Sequence, residues 1–339
     1  MTDLVIGANG YLGSHVTRQL VADGCDVRVM VRPGANTIGI DDLPVTRFEG
    51  DIWDDDTLRA AMTGAEVIYY CVVDTRGWLR DPAPLLRTNV DGTRNVLDIA
   101  TEPEILSGLS KFVFTSSYAT VDRRRGRVAT EDDVIANLGS RRLTPYVRSR
   151  IQAENLVLEY AAERGLPAVA MCVSTTYGGR DWGRTPHGAI IAGAVFGKLP
   201  FVMKDIALEA VGVQDAARAL TLAAEHGKPG ERYLISAEMI SNAEVARIAA
   251  ETAGVAPPAK SISLPLTYLL ATLGTVKGRL KGTDERMSLA SLRLMRAEAP
   301  VDCDKARREL GWQPAPVADS VRDAARFWME LRKARAAGR

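Results

Sequence analysis

Short apolar runs alternate with segments of helical spacing along the first half of the chain. Apolar runs at residues 4–6, 26–31, 45–49, 66–73 and 111–115 predict strands, and the stretches at 14–23, 55–63 and 85–100 predict helices between them. Such alternation is typical of an α/β fold in which helices cover both faces of a doubly wound parallel sheet. Ligands of these sheets bind at the carboxyl ends of the strands, so the residues that follow each run are the candidates for function.

Three glycines spaced three apart follow the first predicted strand and open the first predicted helix. Gly7 would permit a tight turn, Gly10 would let the backbone approach a pyrophosphate, and Gly13 would let the helix pack on the strand. The pattern therefore predicts a dinucleotide site, although on its own it also fits a plain glycine-rich turn. Three neighbours join the glycines as predicted cofactor-binding residues: Asn9, Tyr11 and Leu12.

The residue after the second predicted strand distinguishes the two nicotinamide dinucleotides. An acid at this place accepts the 2′-hydroxyl of the adenosine ribose, whereas an arginine accommodates a 2′-phosphate. The chain has Arg32 there and no acid before Asp41, which favours NADP(H), with NAD(H) as the second choice and a solvated loop arginine as the alternative interpretation. Four residues after other strands complete the predicted cofactor wall: Asp51, Ile52, Val72 and Val73.

Charge and cysteine content exclude several classes of function. The chain has 43 basic and 42 acidic residues, so no overall field attracts nucleic acid or an anionic membrane. Its four cysteines are far apart and form no C-x-x-C pair, which argues against zinc or a disulfide framework, and no metal site is predicted. The most apolar stretch, at 264–276, is short of the roughly 20 residues that a membrane span needs. We therefore expect a cytoplasmic protein without a membrane span.

Residues 123–127 form a basic run, Arg-Arg-Arg-Gly-Arg, in the loop after the fifth predicted strand. By topology this loop lies near the mouth of the predicted site, where it could clamp a carboxylate, a phosphate or a sugar nucleotide. The alternative is a solvated basic loop. No aromatic residues interrupt the run, so nucleic acid is not an expected partner.

Helical segments dominate the second half of the chain. They lie at 187–197, 214–226, 241–252, 264–280 and 317–332, and Asp215 and Ser241 occupy predicted N-cap positions. We expect a dinucleotide-binding Rossmann domain over 1–174, with parts of 205–236 in its core, and a smaller α/β substrate-binding part over 175–339. The apolar segment 264–280 fits core or dimer packing, a substrate entrance, or contact with a partner or membrane surface.

Six motifs, the glycines included, occur in the order found in the extended short-chain dehydrogenases/reductases. After the glycines they are Asn89-Val90-Asp91-Gly92-Thr93-Arg94-Asn95-Val96, Thr115-Ser116-Ser117, Pro145-Tyr146-Val147-Arg148-Ser149-Arg150, Val213-Gln214-Asp215-Ala216-Ala217 and Glu309-Leu310-Gly311-Trp312-Gln313-Pro314. The chain resembles this superfamily over nearly its whole length. It is most similar to the branch that holds dihydroflavonol reductase-like enzymes, 3β-hydroxysteroid dehydrogenase-like enzymes and hopanoid-associated sugar epimerases.

The resemblance implies catalytic roles for Ser117, Tyr146 and Arg150. Tyr146 matches the acid/base tyrosine and Ser117 the serine that hydrogen-bonds the substrate oxygen. Carbonyl reduction creates an alkoxide that needs a proton and a second donor, and a phenol, which titrates near about pH 10, needs a neighbouring cation to act at neutrality. The resemblance also extends the cofactor-binding set: Asn89, Thr115, Tyr146, Arg150, Val173 and Ser174.

Arg150 departs from the family pattern, which has lysine. Positions 146 and 150 share a helix face, so the guanidinium can supply charge and ribose contacts, but it cannot release a proton. Either it replaces the lysine and activity is retained, or the site has drifted towards weak activity or binding alone; an exposed helix arginine is a third interpretation. A second departure is Cys172-Val173-Ser174, where the family usually has Asn-Pro or Arg-Pro near the nicotinamide.

These observations predict an NADP(H)-dependent oxidoreductase that interconverts a small-molecule ketone or aldehyde and an alcohol, and the resemblance implies a homodimer. Two alternatives stay open. One is a nucleotide-sugar epimerase or dehydratase with bound NAD, which Arg32 disfavours. The other is a dinucleotide-responsive binding protein whose catalytic machinery has decayed at position 150.

Overall fold

A seven-stranded parallel sheet forms the centre of the protein in the computed structural model, which describes residues 2–123, 127–140, 143–203, 205–295 and 299–338. The strands are β1 Thr2–Ile6, β2 Asp26–Val31, β3 Thr46–Glu49, β4 Val67–Tyr70, β5 Lys111–Ser117, β6 Ala168–Val173, β7 Thr175–Tyr177, β8 Val202–Met203, β9 Ala207–Gly212, β10 Arg232–Ile235, β11 Glu238–Ser241 and β12 Ser261–Ile262. The large sheet has the order β10-β6-β5-β4-β1-β2-β3, and every neighbouring pair in it is parallel.

Helices cover both faces of this sheet. They are α1 Tyr11–Ala22, α2 Asp55–Met62, α3 Ala83–Leu86, α4 Gly92–Ala100, α5 Pro103–Leu106, α6 Pro145–Arg164, α7 Pro186–Val195, α8 Val213–His226, α9 Asn242–Thr252, α10 Leu264–Lys281, α11 Leu289–Leu294, α12 Asp304–Leu310 and α13 Val317–Ala336. One buried apolar cluster joins the sheet to α1 and α8 through Val16 and Leu220, and a second joins it to α2, α4 and α6 through Leu58, Leu97 and Val157. The predicted doubly wound parallel sheet is confirmed.

A smaller body lies beyond β6. Strands β11, β9 and β7 form a three-stranded sheet, and β12 and β8 form a two-stranded one. Helices α7, α9 and α13 pack around a third apolar cluster that includes Ile191, Val245 and Trp328. Strand β10 leaves this part of the chain and pairs with β6, so the two bodies are joined through a shared sheet.

The predicted single helix at 85–100 is interrupted. A π-helical segment, Arg87–Asp91, separates α3 from α4. It contains Asn89, whose side chain is fully buried and hydrogen-bonds Asp74 and Ser149, so the wider turn brings this amide inward. The fifth strand is also longer than predicted, since it continues to Ser117.

Of the two predicted N-caps, Ser241 is confirmed and Asp215 is wrong. Ser241 accepts a hydrogen bond from the Glu244 amide at 3.1 Å. Helix α8 begins earlier, after Gly212, and Asp215 lies in its first turn with its carboxylate accepting from the Ala315 amide at 3.2 Å. The residue therefore holds the later loop rather than its own helix end.

Helix α10 exposes most of its apolar side chains. Leu269 and Leu273 are 54% and 56% exposed, while Ala271 on the opposite face is buried against Ile206 and Leu292. The interpretation of segment 264–280 as core packing is therefore wrong for this face. Over the described ranges, no helix is both long and apolar enough to cross a membrane.

Candidate active site

A cleft of about 570 Å³ opens at the carboxyl ends of β1, β2, β3 and β4. It brings together eight of the residues predicted to bind cofactor: Gly7, Asn9, Gly10, Arg32, Asp51, Ile52, Val72 and Val73. These residues come from four separate strand ends, and the parallel sheet places all of those ends on one edge. The cleft therefore has the position expected for a dinucleotide in a doubly wound sheet.

The glycine turn is shaped by close contacts. Gly7 has φ +86°, which L side chains rarely adopt, and its carbonyl accepts from the Gly10 amide at 3.0 Å. A Cβ on Gly13 would lie 2.3 Å from the Gly7 carbonyl oxygen, so only glycine lets α1 approach β1 this closely. The free amides of the first turn of α1 then face the cleft, where they suit a pyrophosphate.

Tyr11 and Leu12 form the first residues of α1. The Tyr11 hydroxyl donates to the Gly178 carbonyl at 2.9 Å, on the side of the smaller body. The Tyr11 side chain therefore connects the two bodies, and the backbone at this helix start is the part suited to a phosphate.

Arg32 lies exposed on the rim of the cleft. No carboxylate of the described chain pairs with its guanidinium, and the nearby acids already have partners. Asp41 pairs with Arg47 at 3.0 Å and Asp42 with Arg18. Arg32 is thus left free for a ligand group at the ribose end of the cleft.

The Asn89-to-Val96 motif supports the walls of the cleft from behind. Asn89 Oδ1 accepts from the Asp74 amide at 2.7 Å, and its Nδ2 donates to the Asp74 carbonyl and to Ser149 Oγ, both at 3.0 Å. Asn95 Nδ2 donates to the Ile52 carbonyl at 2.9 Å, and a Cβ on Gly92 would lie 2.4 Å from Ile52 Cδ1. Since Asn89 is fully buried with its amide satisfied, the geometry gives it a supporting role in place of the predicted direct cofactor contact.

Sequence reasoning missed five polar or aromatic residues of the cleft: Trp53, Asp74, Thr75, Arg76 and Thr88. Asp74 and Arg76 form an ion pair at 2.6 Å. Burial raises the pKa of the Asp74 carboxyl, but the Arg76 hydrogen bonds outweigh it and the pKa is lowered overall. The available signal was the polar triplet directly after Val73 at a strand end.

The hydroxyl groups of Ser117 and Tyr146 donate no hydrogen bond to any described residue. Ser117, the last residue of β5, accepts from the Ala119 amide at 3.2 Å and donates to no described residue, so its proton is available. Tyr146 lies at the start of α6, which Thr144 caps. Its half-buried phenol hydroxyl forms no hydrogen bond within the described ranges, and Gly77 packs against its Cβ.

Arg150 is almost completely buried, at 1% exposure, so the interpretation of an exposed helix arginine is wrong. Its Nη2 donates to the Thr115 carbonyl, and its guanidinium carbon lies 5.0 Å from the centre of the Phe114 ring. Nε and Nη1 are buried and form no hydrogen bond with any residue that the structure describes. A buried cation with two unused donors beside the β5 strand end fits the hydroxyl groups of a bound ribose.

A buried polar network lies behind Ser117. Glu154 pairs with Arg232 at 2.8 Å and accepts hydrogen bonds from the neighbours of the Ser117 strand end: Ser116, Thr120 and Cys172. Thr120 Oγ1 is also 2.8 Å from the Ser117 carbonyl. Burial, followed by the Glu154 charge, raises the pKa of the Cys172 thiol, which makes it a donor and not a nucleophile.

The remaining predicted residues border the same strand ends. Thr115 lies in β5 and contacts Cys71 Sγ at 3.4 Å; Val173 pairs with Ser117 across the sheet, and Ser174 follows it with a buried, unpartnered hydroxyl. Residues 124–126 of the basic run lie outside the described residues. Elsewhere in the described chain, no group of His, Cys, Asp and Glu could hold a metal ion.

Comparisons with known proteins agree on one family. The model of the NAD dependent epimerase/dehydratase family matches residues 4–236. Sterol demethylase protein B of Methylococcus capsulatus is 28% identical over 97% of this chain and 99% of its own. A ketoreductase of Stigmatella aurantiaca, which acts on a 3-oxo-4-farnesyl-dihydroquinoline-1-oxide by its name, is 28% identical over 92% of each chain. The crystal structure of gox2253 superimposes with a TM-score of 0.83, at 32% identity over 97% of this chain and 98% of the other.

Proposed function

Because the chain belongs to the NAD-dependent epimerase/dehydratase family, whose cofactor is a nicotinamide dinucleotide, we propose that it is an NADP(H)-dependent oxidoreductase acting on a ketone or aldehyde and the corresponding alcohol. The observation that carries this proposal is that the Ser117 and Tyr146 hydroxyls donate to no described residue, while Arg150, on the helix of Tyr146, holds the strand of Ser117 through Thr115. The likeness to a full-length ketoreductase supports it.

The residues present fit a dinucleotide. The amides after Gly10 would hold the pyrophosphate, Asp51 and Ile52 would border the adenine, and the free Nε and Nη1 of Arg150 would hold the nicotinamide ribose. When bound, the reduced nicotinamide supplies a hydride. Arg32, exposed and unpaired on the rim, would hold a 2′-phosphate, which is why we propose NADP(H).

The chain's own groups would handle the substrate oxygen. Ser117 donates its free proton as a hydrogen bond to the carbonyl oxygen and fixes its position. Tyr146 gives its phenolic proton to the same oxygen as negative charge develops there, and it takes the proton back in the reverse direction. The Arg150 charge stabilises the tyrosinate that remains.

NADPH consumption with a panel of aromatic, aliphatic and steroid ketones tests the proposal. Tyr146→Phe is expected to lower kcat by roughly 100-fold or more while the NADPH affinity is kept, because the proton donor alone is lost. Tyr160→Phe on the same helix is the matched control, since that hydroxyl bonds Asp98 away from the cleft. Unchanged turnover in Tyr146→Phe, or NAD that leaves the purified protein only on denaturation, would contradict the proposal.

Cofactor choice is tested at Arg32. Arg32→Gln is expected to weaken NADPH at least tenfold relative to NADH, because the contact with the 2′-phosphate is lost. Arg218→Gln, which removes an exposed arginine paired with Asp23, should leave the ratio unchanged. An unaltered ratio in Arg32→Gln would mean that the 2′-phosphate is held elsewhere.

We also propose that residues 1–174, with the β10 region, hold the dinucleotide and that residues 175–339 form most of the substrate side. A homodimer through the outer faces of α4 and α6 belongs to the same proposal. Light scattering should then give twice the 36.7 kDa of one chain. A monomeric mass at working concentration would remove the dimer from the proposal.

A further inference from the structure

Arg123 follows the β5 strand end that carries Ser117, and its guanidinium has no hydrogen-bond or carboxylate partner among the described residues. Its central carbon is 4.4 Å from the centre of the Tyr118 ring, and Tyr118 directly follows Ser117. None of its nitrogens bonds to a described residue, and Nε and Nη1 are buried. A guanidinium has five donors, and burying donors without acceptors costs free energy. A ligand that accepts these hydrogen bonds would remove that cost.

Glu209 is an acid whose pKa is raised by burial and, to a smaller extent, lowered by the Arg123 charge, but the two side chains form no ion pair. Glu209 has one oxygen 2.5 Å from Ser236 Oγ and the other 3.1 Å from the Val301 amide, and it forms no ion pair with Arg123. Burial raises the pKa of the Glu209 carboxyl, and the opposing effects of these hydrogen bonds and of the Arg123 charge do not cancel this rise. Glu209 is therefore engaged by Ser236 and Val301 and leaves the Arg123 guanidinium without an ion pair in the described chain.

Arg127, in the same loop, is an arginine whose contacts are purely structural and can be compared with those of Arg123. Its Nη2 pairs with Asp133 at 2.6 Å, and its side chain is 61% exposed. Arg123 has neither the carboxylate nor the exposure. The two arginines thus separate the alternatives for the basic run, because Arg127 is solvated and paired while Arg123 is turned inward and unpaired.

Two further buried hydroxyls, on Ser174 and Tyr177, form no hydrogen bond with any described residue. Ser174 Oγ is buried one residue after Val173, which pairs with Ser117 across the sheet. The Tyr177 hydroxyl is buried without a partner, and its pKa is raised by burial and then by the Tyr118 phenol, so the two phenols lie near each other. The Tyr118 side chain, one residue after Ser117, is therefore near two groups with unused donors, Arg123 and Tyr177.

We propose that the substrate carries a carboxylate, which Arg123 binds while Ser117 and Tyr146 hold the carbonyl, so that the substrate class is an oxo acid and its hydroxy acid. This inference rests on the proposed function for the position of the carbonyl. Arginine matches the planar, two-oxygen shape of a carboxylate, and a site with little water strengthens the pair.

Matched ketones test the carboxylate. The pairs are 4-acetylbenzoate with 4-methylacetophenone, and 5-oxohexanoate with 2-heptanone, titrated calorimetrically into the protein with NADP⁺ and without it. At least one acid is expected to bind tenfold or more tightly than its neutral counterpart. Arg123→Gln should remove that advantage, Arg123→Lys should restore part of it, and Arg127→Gln, the matched control, should keep it.

Each outcome decides a separate point. Equal affinity of acid and neutral ketone in both pairs, or an advantage that survives in Arg123→Gln, would overturn the inference. Turnover of neutral ketones without any preference for acids would leave the proposed function standing and remove the carboxylate. Binding of acids through Arg123 without NADPH consumption would keep the carboxylate site at Arg123 and remove the oxidoreductase. Thermal unfolding of the Arg123 variants shows that any loss is not misfolding.

Discussion

Arg150 is the residue in which this candidate site departs most clearly from the family pattern. Sequence comparison alone marks it as a departure from lysine, and the structure places it under the β5 strand end with its charge buried beside Phe114. One of its nitrogens is committed to the Thr115 carbonyl and two are free. An arginine here therefore holds the strand end through Thr115 and keeps two buried donors that no described residue uses.

Two replacements of Arg150 test the contribution of its charge separately from that of its hydrogen-bond donors. Arg150→Met is expected to lower kcat/KM by roughly 100-fold or more, since both the cation and the ribose donors are lost, whereas Arg150→Lys should retain more activity because the charge stays. Steady-state kinetics with NADPH and a ketone that the wild-type protein reduces measure this difference. Arg164→Met, at the exposed end of the same helix, is the control. Full activity of Arg150→Met would exclude the arginine from the mechanism.

At the scale of elements, the start of α1 depends on its distance from β1. Gly13→Ala would place a methyl group 2.3 Å from the Gly7 carbonyl oxygen, so the helix must move away from the strand. We expect at least tenfold weaker NADPH binding and a loss of about 1–3 kcal/mol in the free energy of unfolding. Fluorescence titration and chemical denaturation measure the two effects.

Gly183→Ala is the control for this helix start, because a Cβ at Gly183 meets no atom within 4 Å. It should change neither quantity by more than about 0.5 kcal/mol. Wild-type NADPH affinity in Gly13→Ala would mean that the close approach of α1 and β1 is not needed for the cofactor.

Elements with a strong local pattern were predictable from the sequence. Strand β2 has the predicted bounds Asp26–Val31, and α2 differs by one residue, because apolar periodicity and turn glycines determine both locally. The short strands β7, β9 and β11 were not predicted, since three to six residues carry little periodicity and pair only with distant segments. The exposure of α10 depends on what packs against it, which periodicity does not contain.

The same limit applied to the site. Residues at strand ends, such as Arg32, Asp51 and Val72, were predictable because parallel topology brings strand ends to one edge. The burial of Arg150, the isolation of Arg123 and the supporting role of Asn89 depend on side-chain contacts between remote segments. Sequence could nominate these residues but could not distinguish a contact with ligand from a contact with protein.

At the scale of the whole molecule, a buried histidine links stability to pH. His15 in α1 is 5% exposed and bonds the Gly179 carbonyl of the smaller body at 3.2 Å. Burial lowers its pKa from 6.5 to about 4, while the hydrogen bond acts in the opposite direction. The unfolded chain therefore takes up a proton first, and the stability that neutral His15 contributes above its unfolded pKa is lost as pH falls from about 6.5 towards 4.

His15→Gln is expected to reduce the fall in unfolding free energy between about pH 7.5 and pH 5 by about 2 kcal/mol. Denaturant titrations of wild type and variant at both pH values measure it, and carboxyl groups with raised pKa contribute alike to both proteins. His226→Gln is the control, since His226 is 52% exposed. Equal pH dependence in wild type and His15→Gln would contradict the assignment.

The Glu154 network also limits how this sequence can diverge. The Glu154 carboxylate is contacted by four side chains: Ser116, Thr120, Cys172 and Arg232. Losing any one of them would leave a buried polar group of the network without its partner. These five positions are expected to change together or not at all among descendants. Arg123 forms no hydrogen bond with a described residue and contacts the Tyr118 ring instead, so its replacement leaves no buried polar group of that region unpaired. We therefore expect the Glu154 network near Ser117 to stay constant among related sequences, whereas position 123 can change by single substitutions.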